Sequence, residues 1–366
     1  MKISLTKATI EEEDVSSMET TIHQGLISEG NITRAFEKAF QGFFGMAGAV
    51  ATNSCTSALV LALRTLGVYL GDEVILPSYT CLAVLHAVIQ IGAIPRLTDN
   101  MYDVEGMSYN ITPGLVEAKL SPKTRAIIVP HMFGVPAEID KLIDFGIPII
   151  EDITLSLGAR YKDKYVGTWG DISVCSFHAS KMITCGEGGI LASKNHKLYE
   201  KACHLNCWEN EQASIRLKEV EPFQLRYNFR LSDIAATLGM SQLRRLPEFI
   251  TRRRSLANHY TSYFSKFCNL GLPMVADNSN VFHRYLVAGN NLNIISIINQ
   301  FMQAGIEVGR GVYPPLHKYL GHCCESYPNA ERATRTLLSI PLYPSLVDNE
   351  VEYILQTSKK ILSGQS

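Results

Sequence analysis

Two uninterrupted apolar runs, Ala126–Pro130 (AIIVP) and Pro148–Ile150 (PII), constrain the fold of this chain more than any other feature. A strand with one face in water alternates apolar and polar residues. A run without alternation is covered on both faces, as in a parallel sheet packed between helices. The neighbouring sequence repeats the theme. Val50–Thr52 reads as a strand end, Glu73–Pro77 as a short buried strand after the turn Gly71-Asp72, and Pro95–Thr98 as another. Helical patterns fall between them at Ser57–Leu66 (closed by Gly67), Leu82–Ile91, Leu115–Leu120 and Ile139–Phe145. Strands alternating with helices over this length predict an α/β fold: a large, doubly wound, mostly parallel-sheet domain.

The flanks differ in character. Thr6–Gln41 is charged and amphipathic and reads as one or two entry helices parted near Gly25–Gly30. Leu231–Arg253 is one long helical pattern and Ser255–Phe267 another. Beyond Leu270, strands and helices mix (Arg284–Ala288, Ile294–Ala304, a turn at Tyr313–His317), and Glu350–Leu362 closes the chain as an amphipathic helix. A length of 366 residues fits two domains, and 46% hydrophobic against 19% charged residues supplies a large core. The expected division is a large α/β domain with its entry helices over 1–250 and a smaller α+β C-terminal domain over 251–366.

Ligands of doubly wound sheets bind at the carboxyl ends of strands. The residues expected there are Ser54-Cys55-Thr56, Ser78-Tyr79-Thr80, His131, Glu151-Asp152 and the turn Ser176–Lys181. The Ser54–Thr56 turn opens a helix, so it is either an anion site built on free N–H groups or an ordinary cap. Asp152, directly after a buried strand, is either a cap or a functional carboxylate. Lys181 follows the strand-like Ile172–Phe177 and precedes Gly186-Glu187-Gly188-Gly189. A lysine at a strand end beside tight turns is either a solvated loop residue or a nucleophile able to form an imine.

Several function classes are set aside. A net charge of −1 points to neither nucleic acid nor an anionic membrane as partner, and Arg252-Arg253-Arg254 reads as a solvated helix face. No apolar run reaches membrane length. Nine cysteines, an odd count, with no secretory pattern at Met1-Lys2-Ile3, read as reduced thiols of a cytoplasmic protein. Cys203-His204-x-x-Cys207 and His322-Cys323-Cys324 lack paired metal-ligand spacing, so no metal is expected. No G-x-G-x-x-G follows the first strand, which argues against a dinucleotide enzyme.

The ordered set SFHASK, then GEGG, with EDI upstream and YNFRLSD (Tyr227–Asp233) downstream, resembles the DegT/DnrJ/EryC1/StrS sugar aminotransferases. The resemblance runs nearly the whole chain, from LISEGNITRAFEKAF (Leu26–Phe40) to LSIPLYPSLVDNEV (Leu338–Val351). It implies an aspartate aminotransferase-like, fold-type I architecture with pyridoxal 5'-phosphate as cofactor. It further implies transfer of an amino group from an amino acid, with glutamate the expected donor, to a keto group of a nucleotide-linked sugar. Residue by residue, the resemblance makes Lys181 the imine-forming and proton-moving lysine and Asp152 the partner of the pyridine nitrogen. Ser54, Cys55, Thr56 and Ser176 become phosphate ligands, and Asn228 reaches the phosphate of a neighbouring subunit, which implies a homodimer with shared active sites. His317 and Tyr313 are expected to line the substrate side.

Three positions depart from the family pattern. Cys55 stands where glycine is usual, Cys81 where an aromatic residue stacks on the cofactor, and Leu155 where glutamine or histidine is usual. The last two leave a cyclitol or another ketone without a nucleotide as an alternative acceptor. A sugar dehydratase of the same fold would carry histidine in place of Lys181, and a non-catalytic relative would have lost Lys181 or Asp152. The segment Asn206–Phe223, with Trp208, is either a substrate-facing loop or a plain surface excursion.

Overall fold

The computed structural model describes residues 2–25, 27–103, 108–206, 225–266, 270–273, 279–289, 293–312 and 314–363. Two entry helices come first, α1 (Glu12–Gln24) and α2 (Asn31–Phe44). Glu11 and Asp14 form a capping box at the start of α1, and Gly25 ends it in the left-handed region at φ 73°. The start of α2 has no such cap of its own. Its N–H groups go to a residue 200 positions downstream. Asp233 accepts from the backbone N–H of Gly30 (2.8 Å), Ile32 (3.2 Å) and Thr33 (2.9 Å) and from the Thr33 hydroxyl (2.7 Å).

The strands β1 (Gly48–Thr52), β2 (Glu73–Pro77), β3 (Ile94–Thr98), β4 (Thr124–Pro130) and β5 (Ile149–Asp152) follow, then a two-residue hairpin, β6 (Arg160–Tyr161) and β7 (Lys164–Tyr165). β8 (Ile172–Ser176) and β9 (Gly189–Ser193) complete a seven-stranded sheet in the order β1-β9-β8-β5-β4-β2-β3. β9 is antiparallel to both neighbours, and β8, β5, β4, β2 and β3 pair in parallel. The intervening helices are α3 (Cys55–Thr65), α4 (Leu82–Gln90), α5 (Pro113–Glu117), α6 (Ile139–Ile143) and α7 (His196–Asn206).

The strand pleat explains the apolar runs. Val74 and Leu76 of β2, with Ala126 and Ile128 of β4, pack with α3 and α4 in one core. Ile75, Ile127 and Val129, between them in sequence, pack with Val116, Ile139 and Leu142 in another. Both faces are dry, so alternation never shows. At the β1 end, the α2 phenylalanines Phe36, Phe40 and Phe44 and helix α8 (Asp233–Arg244) cover the face holding Ala49, Ala51 and Ile190.

A separate apolar cluster surrounds β10 (Tyr285–Ala288) and β11 (Leu337–Ile340), an antiparallel pair, with α10 (Ile294–Gln303) and α13 (Asp348–Ser363). Two more helices, α11 (Leu316–Tyr319) and α12 (Pro328–Thr336), return the chain to the large core, where Leu316, Ala330 and Ala333 are buried. The long helical pattern at Leu231–Arg253 is not one helix. α8 stops at Arg244, and α9 (Leu246–Phe264) runs on with Pro247 in its first turn, the position where a proline needs no N–H partner.

α9 passes through the expected boundary at 250/251. It buries Phe249 and Ile250 in the α2 core but Leu256, Tyr260 and Phe264 in the second. Ile3 also joins the second core, its N–H donating to Gly305 O at 2.9 Å. We propose that the packing divides within α9, with the first residues of the chain on the C-terminal side. Among the described residues no helix is long and apolar enough to cross a membrane.

The Asp233 cap is testable. Asp233→Ala strands three N–H groups at the start of α2, the Thr33 one buried and the other two part-buried, at a cost of about 3 kcal/mol. A lowered thermal midpoint is the expected result, and a midpoint equal to the native one would refute the cap's importance.

Candidate active site

Beyond β1 the chain turns at Asn53 and enters α3. Ser54, in extended conformation (φ −163°, ψ 159°), caps the helix by accepting from Ser57 N at 3.1 Å. The next N–H groups, those of Cys55 and Thr56, have no intrahelical carbonyl to bond and point out of the positive end of the helix. The first turn of α3 carries no acidic side chain. β9 starts hard against this turn. A Cβ on Gly189 would lie 2.5 Å from Cys55 N, so only glycine lets the strand approach. The turn is thus an open cradle of backbone donors.

Asp152 ends β5 and Lys181 lies in the turn after β8, where its N–H donates to His178 O at 2.9 Å. With Ser54, Cys55, Thr56, Ser176, Cys81 and Leu155 they line a single cavity of about 270 Å³ at the carboxyl edge of the sheet. Asp152 is 7% exposed, and its Oδ1 accepts the Thr154 N–H at 3.0 Å. Burial pushes its carboxyl up from the usual aspartate range. The Thr154 hydroxyl and N–H and the Lys181 ammonium pull the other way without cancelling the effect.

The adjacent Glu151 points to the opposite face, as strand alternation requires. It is fully buried and accepts from the N–H groups of Gly167 (2.7 Å), Trp169 (2.8 Å) and Gly170 (2.6 Å) and from His131 Nε2 (3.0 Å). His131 Nδ1 accepts the Ala137 N–H at 3.0 Å, which leaves the ring proton on Nε2 facing Glu151. Burial alone would raise the Glu151 carboxyl; the His131 hydrogen bond and these N–H donors hold it below the usual range. Two neighbouring carboxyls therefore have opposite characters. Glu151 is an anchored anion that fixes the strand end, while Asp152 is an undersupplied one facing the cavity.

Cys81 sits at the start of α4, exposed and making no side-chain cap, and Leu155 lies half-buried on the cavity wall. The remaining expected site residues fall elsewhere. Asn228 is exposed, bonded to Arg230 Nε at 2.8 Å, and not on this cavity. Tyr313, and Trp208 in the segment left open between a substrate-facing loop and a surface excursion, lie outside the described residues.

His317, expected on the substrate side, is not among the residues lining this cavity. Its ring is fully buried, with Nδ1 2.7 Å from Ser78 Oγ and its face stacked on Tyr327 at 4.5 Å. It ties α11 to the end of β2. His317 also approaches Cys324 and Glu331, with ligand atoms within 4.8 Å of one another, but Lys318 Nζ already pairs with Glu331 at 2.7 Å. Among the cavity-lining residues given no role beforehand are Thr154, His178 and Glu187. His178 and Glu187 stand inside the SFHASK and GEGG motifs, which was the available signal; Thr154 had only its spacing of two from Asp152.

A family model for DegT/DnrJ/EryC1/StrS aminotransferases matches residues 8–359. The chain belongs to that family. It is thereby a pyridoxal phosphate aminotransferase by class. The spore coat polysaccharide biosynthesis protein SpsC of Bacillus subtilis is 30% identical, over 97% of this chain and 96% of its own. Among solved structures, the aminotransferase TlmJ of Streptoalloteichus hindustanus superposes with a TM-score of 0.90 at 29% identity, covering 99% of each chain. A Streptococcus pneumoniae protein named as a sugar aminotransferase, in its PLP-form, does so at 0.91 and 26% identity over 100% of each. The fold of this aminotransferase, with its seven-stranded sheet, is therefore shared with these solved structures.

The raised Asp152 carboxyl has a measurable sign. A carboxyl whose folded pKa exceeds its unfolded one weakens folding above both values, and the effect fades as pH falls through the folded pKa. Asp152→Asn therefore raises the thermal midpoint of the cofactor-free protein at neutral pH, and the gain shrinks in acid. A variant less stable than the native protein at neutral pH would contradict this picture of the site.

Proposed function

We propose that this aminotransferase moves the amino group of an amino acid, glutamate as donor, to the keto group of a nucleotide-linked sugar. One observation carries the reading: a lysine, a buried carboxylate short of donors and an open helix N-terminus face the same cavity. These residues fit pyridoxal 5'-phosphate. The Cys55 and Thr56 N–H groups, backed by Gly189, suit the phosphate, with the Ser54 and Ser176 hydroxyls beside it. Asp152 suits a cationic ring nitrogen, which would supply the charge its burial lacks.

When bound, the cofactor ring withdraws electrons from the substrate carbon that loses its proton. The chain's own residues do the rest. The Asp152 carboxylate would hold a proton on the ring nitrogen. Lys181 Nζ would hold the cofactor covalently and, when not so engaged, would serve as the base that moves a proton between carbons. Leu59, Val84 and Leu155 line the cavity with hydrocarbon, which limits water there. The order of events is ping-pong, donor first.

Support for a sugar acceptor comes from the sugar aminotransferase name of the Streptococcus pneumoniae relative and the polysaccharide role in the name of SpsC. In this reading the protein is a cytoplasmic homodimer. Asn228, exposed and off its own cavity, supplies a hydrogen bond to the phosphate site of the second copy.

Incubating the protein with cofactor, ¹⁵N-glutamate and a panel of keto sugars, with and without an attached nucleotide, tests this directly. Label should appear on a nucleotide-linked sugar, and Lys181→Ala should lower the rate by at least about 10²–10⁴-fold. Label on a cyclitol or free ketone alone would overturn the acceptor class, and no transfer from any amino donor would overturn the reading.

A further inference from the structure

The turn that carries Lys181 is held from two sides. From within, the Lys181 N–H donates to His178 O at 2.9 Å and the Ser180 N–H to His178 Nδ1 at 3.2 Å. From outside, His283 Nε2 lies 3.3 Å from the carbonyl oxygen of Ser180, the residue directly before the lysine. A carbonyl oxygen only accepts, so the ring proton is on Nε2 and the histidine donates. His283 is 2% exposed and is not among the residues lining the cavity.

Stability alone does not account for a histidine there. With the proton on Nε2, Nδ1 is a bare acceptor, and it has no partner among the described residues. A buried acceptor left bare costs free energy that an apolar side chain of similar shape would avoid. The backbone that delivers the ring is costly too: Phe282, not a glycine, sits in the left-handed region at φ 50°.

The surroundings impose that conformation. Asn280 Oδ1 accepts the Phe282 N–H at 2.7 Å, and the Val281 N–H donates to Gly134 O at 3.3 Å. Arg253 of α9, read from sequence as part of a solvated helix face, is instead 3% exposed. Its Nη1 donates to the carbonyls of Phe282 (3.3 Å), His283 (3.1 Å) and Leu342 (2.8 Å). A strained backbone held by so many contacts marks a functional constraint. What the strained segment delivers is one N–H, on the backbone next to Lys181.

We propose that His283 is a positioning residue of the transamination site: its Nε2–H holds the Ser180 carbonyl and so fixes the direction in which the Lys181 side chain leaves the turn. A lysine stem is long and flexible, and Lys181 Nζ has to reach the same place whether it holds the cofactor or moves a proton. Fixing the backbone at its root removes part of that freedom. The ring is suitably neutral, since burial and the nearby Lys181 ammonium push His283 well below the usual histidine range. The proposal rests on the transaminase reading, because it gives His283 no task unless Lys181 carries the cofactor.

The test compares His283→Leu, which removes the donor, with His283→Gln, whose side-chain N–H reaches about as far as Nε2. Each cofactor-free protein is mixed with pyridoxal 5'-phosphate, and attachment at Lys181 is followed in time by borohydride trapping and peptide mass spectrometry. Reversible binding of the same cofactor is measured for Lys181→Ala and for Lys181→Ala combined with His283→Leu. His283→Leu should slow attachment about three- to tenfold, the worth of one neutral hydrogen bond, and His283→Gln should restore most of the rate. Reversible binding in the absence of the lysine should be the same with histidine or leucine at 283. His283→Phe replaces the leucine variant if circular dichroism shows that the latter does not fold.

Attachment as fast without the donor as in the native protein would overturn the proposal, as would an equal slowing in His283→Gln. A loss of reversible binding in the Lys181→Ala background matching the loss in rate would also overturn it, because it marks a general packing role. Absence of any adduct on Lys181 of the native protein would overturn the transaminase reading itself, an outcome distinct from every difference between variants.

Discussion

The site depends on a carboxylate that the fold buries and does not fully satisfy. Asp152 lies at the end of a central strand, nearly enclosed, with donors from Thr154 alone among its hydrogen-bond partners. A buried anion short of donors is unfavourable by itself. Its neighbour Glu151 shows what full satisfaction requires: three backbone N–H groups and a histidine. The fold makes one carboxyl rigid and leaves the next in need of a positive charge, and a protonated pyridine nitrogen is such a charge. Polar groups whose demands are met outside the protein are how a binding site differs chemically from a core.

The topology makes this placement possible. Because β9 is antiparallel to its neighbours, it begins at the edge where β1, β5 and β8 end. That brings Gly189 against the Ser54–Cys55 turn and sets the start of α3 over the same cavity as Asp152 and Lys181. The anion cradle, the acid and the lysine arise from segments up to some 130 residues apart, yet all are strand ends on one edge of one sheet.

Much of this was legible in the sequence because it rests on local signals. The apolar runs at Ala126–Pro130 and Pro148–Ile150 announce strands covered on both faces, and strand ends in such sheets announce a site. The Ser54 cap and the glycines after Lys181 are equally local. What escaped was long-range. Nothing near Gly30 shows that the cap of α2 is Asp233, and nothing near Ile3 shows that it packs beside Ile306. His317 illustrates the same limit: nothing near it in sequence shows that its ring packs against Ser78 and Tyr327. The break at Arg245 was readable from Pro247 and was hidden by strong periodicity on both sides. The contacts of Thr154 with Asp152, Ser176 and Cys55 were invisible because only the fold brings these residues together.

The central claim is that Lys181, opposite Asp152, is where the cofactor is attached. Loading the protein with pyridoxal 5'-phosphate, reducing it with borohydride and mapping the labelled peptide by mass spectrometry tests that claim most directly. The account predicts one stable adduct per chain, on Lys181, that is lost when an amino donor is added before reduction. An adduct on another lysine, or labelling spread over exposed lysines and unaffected by the donor, would contradict it.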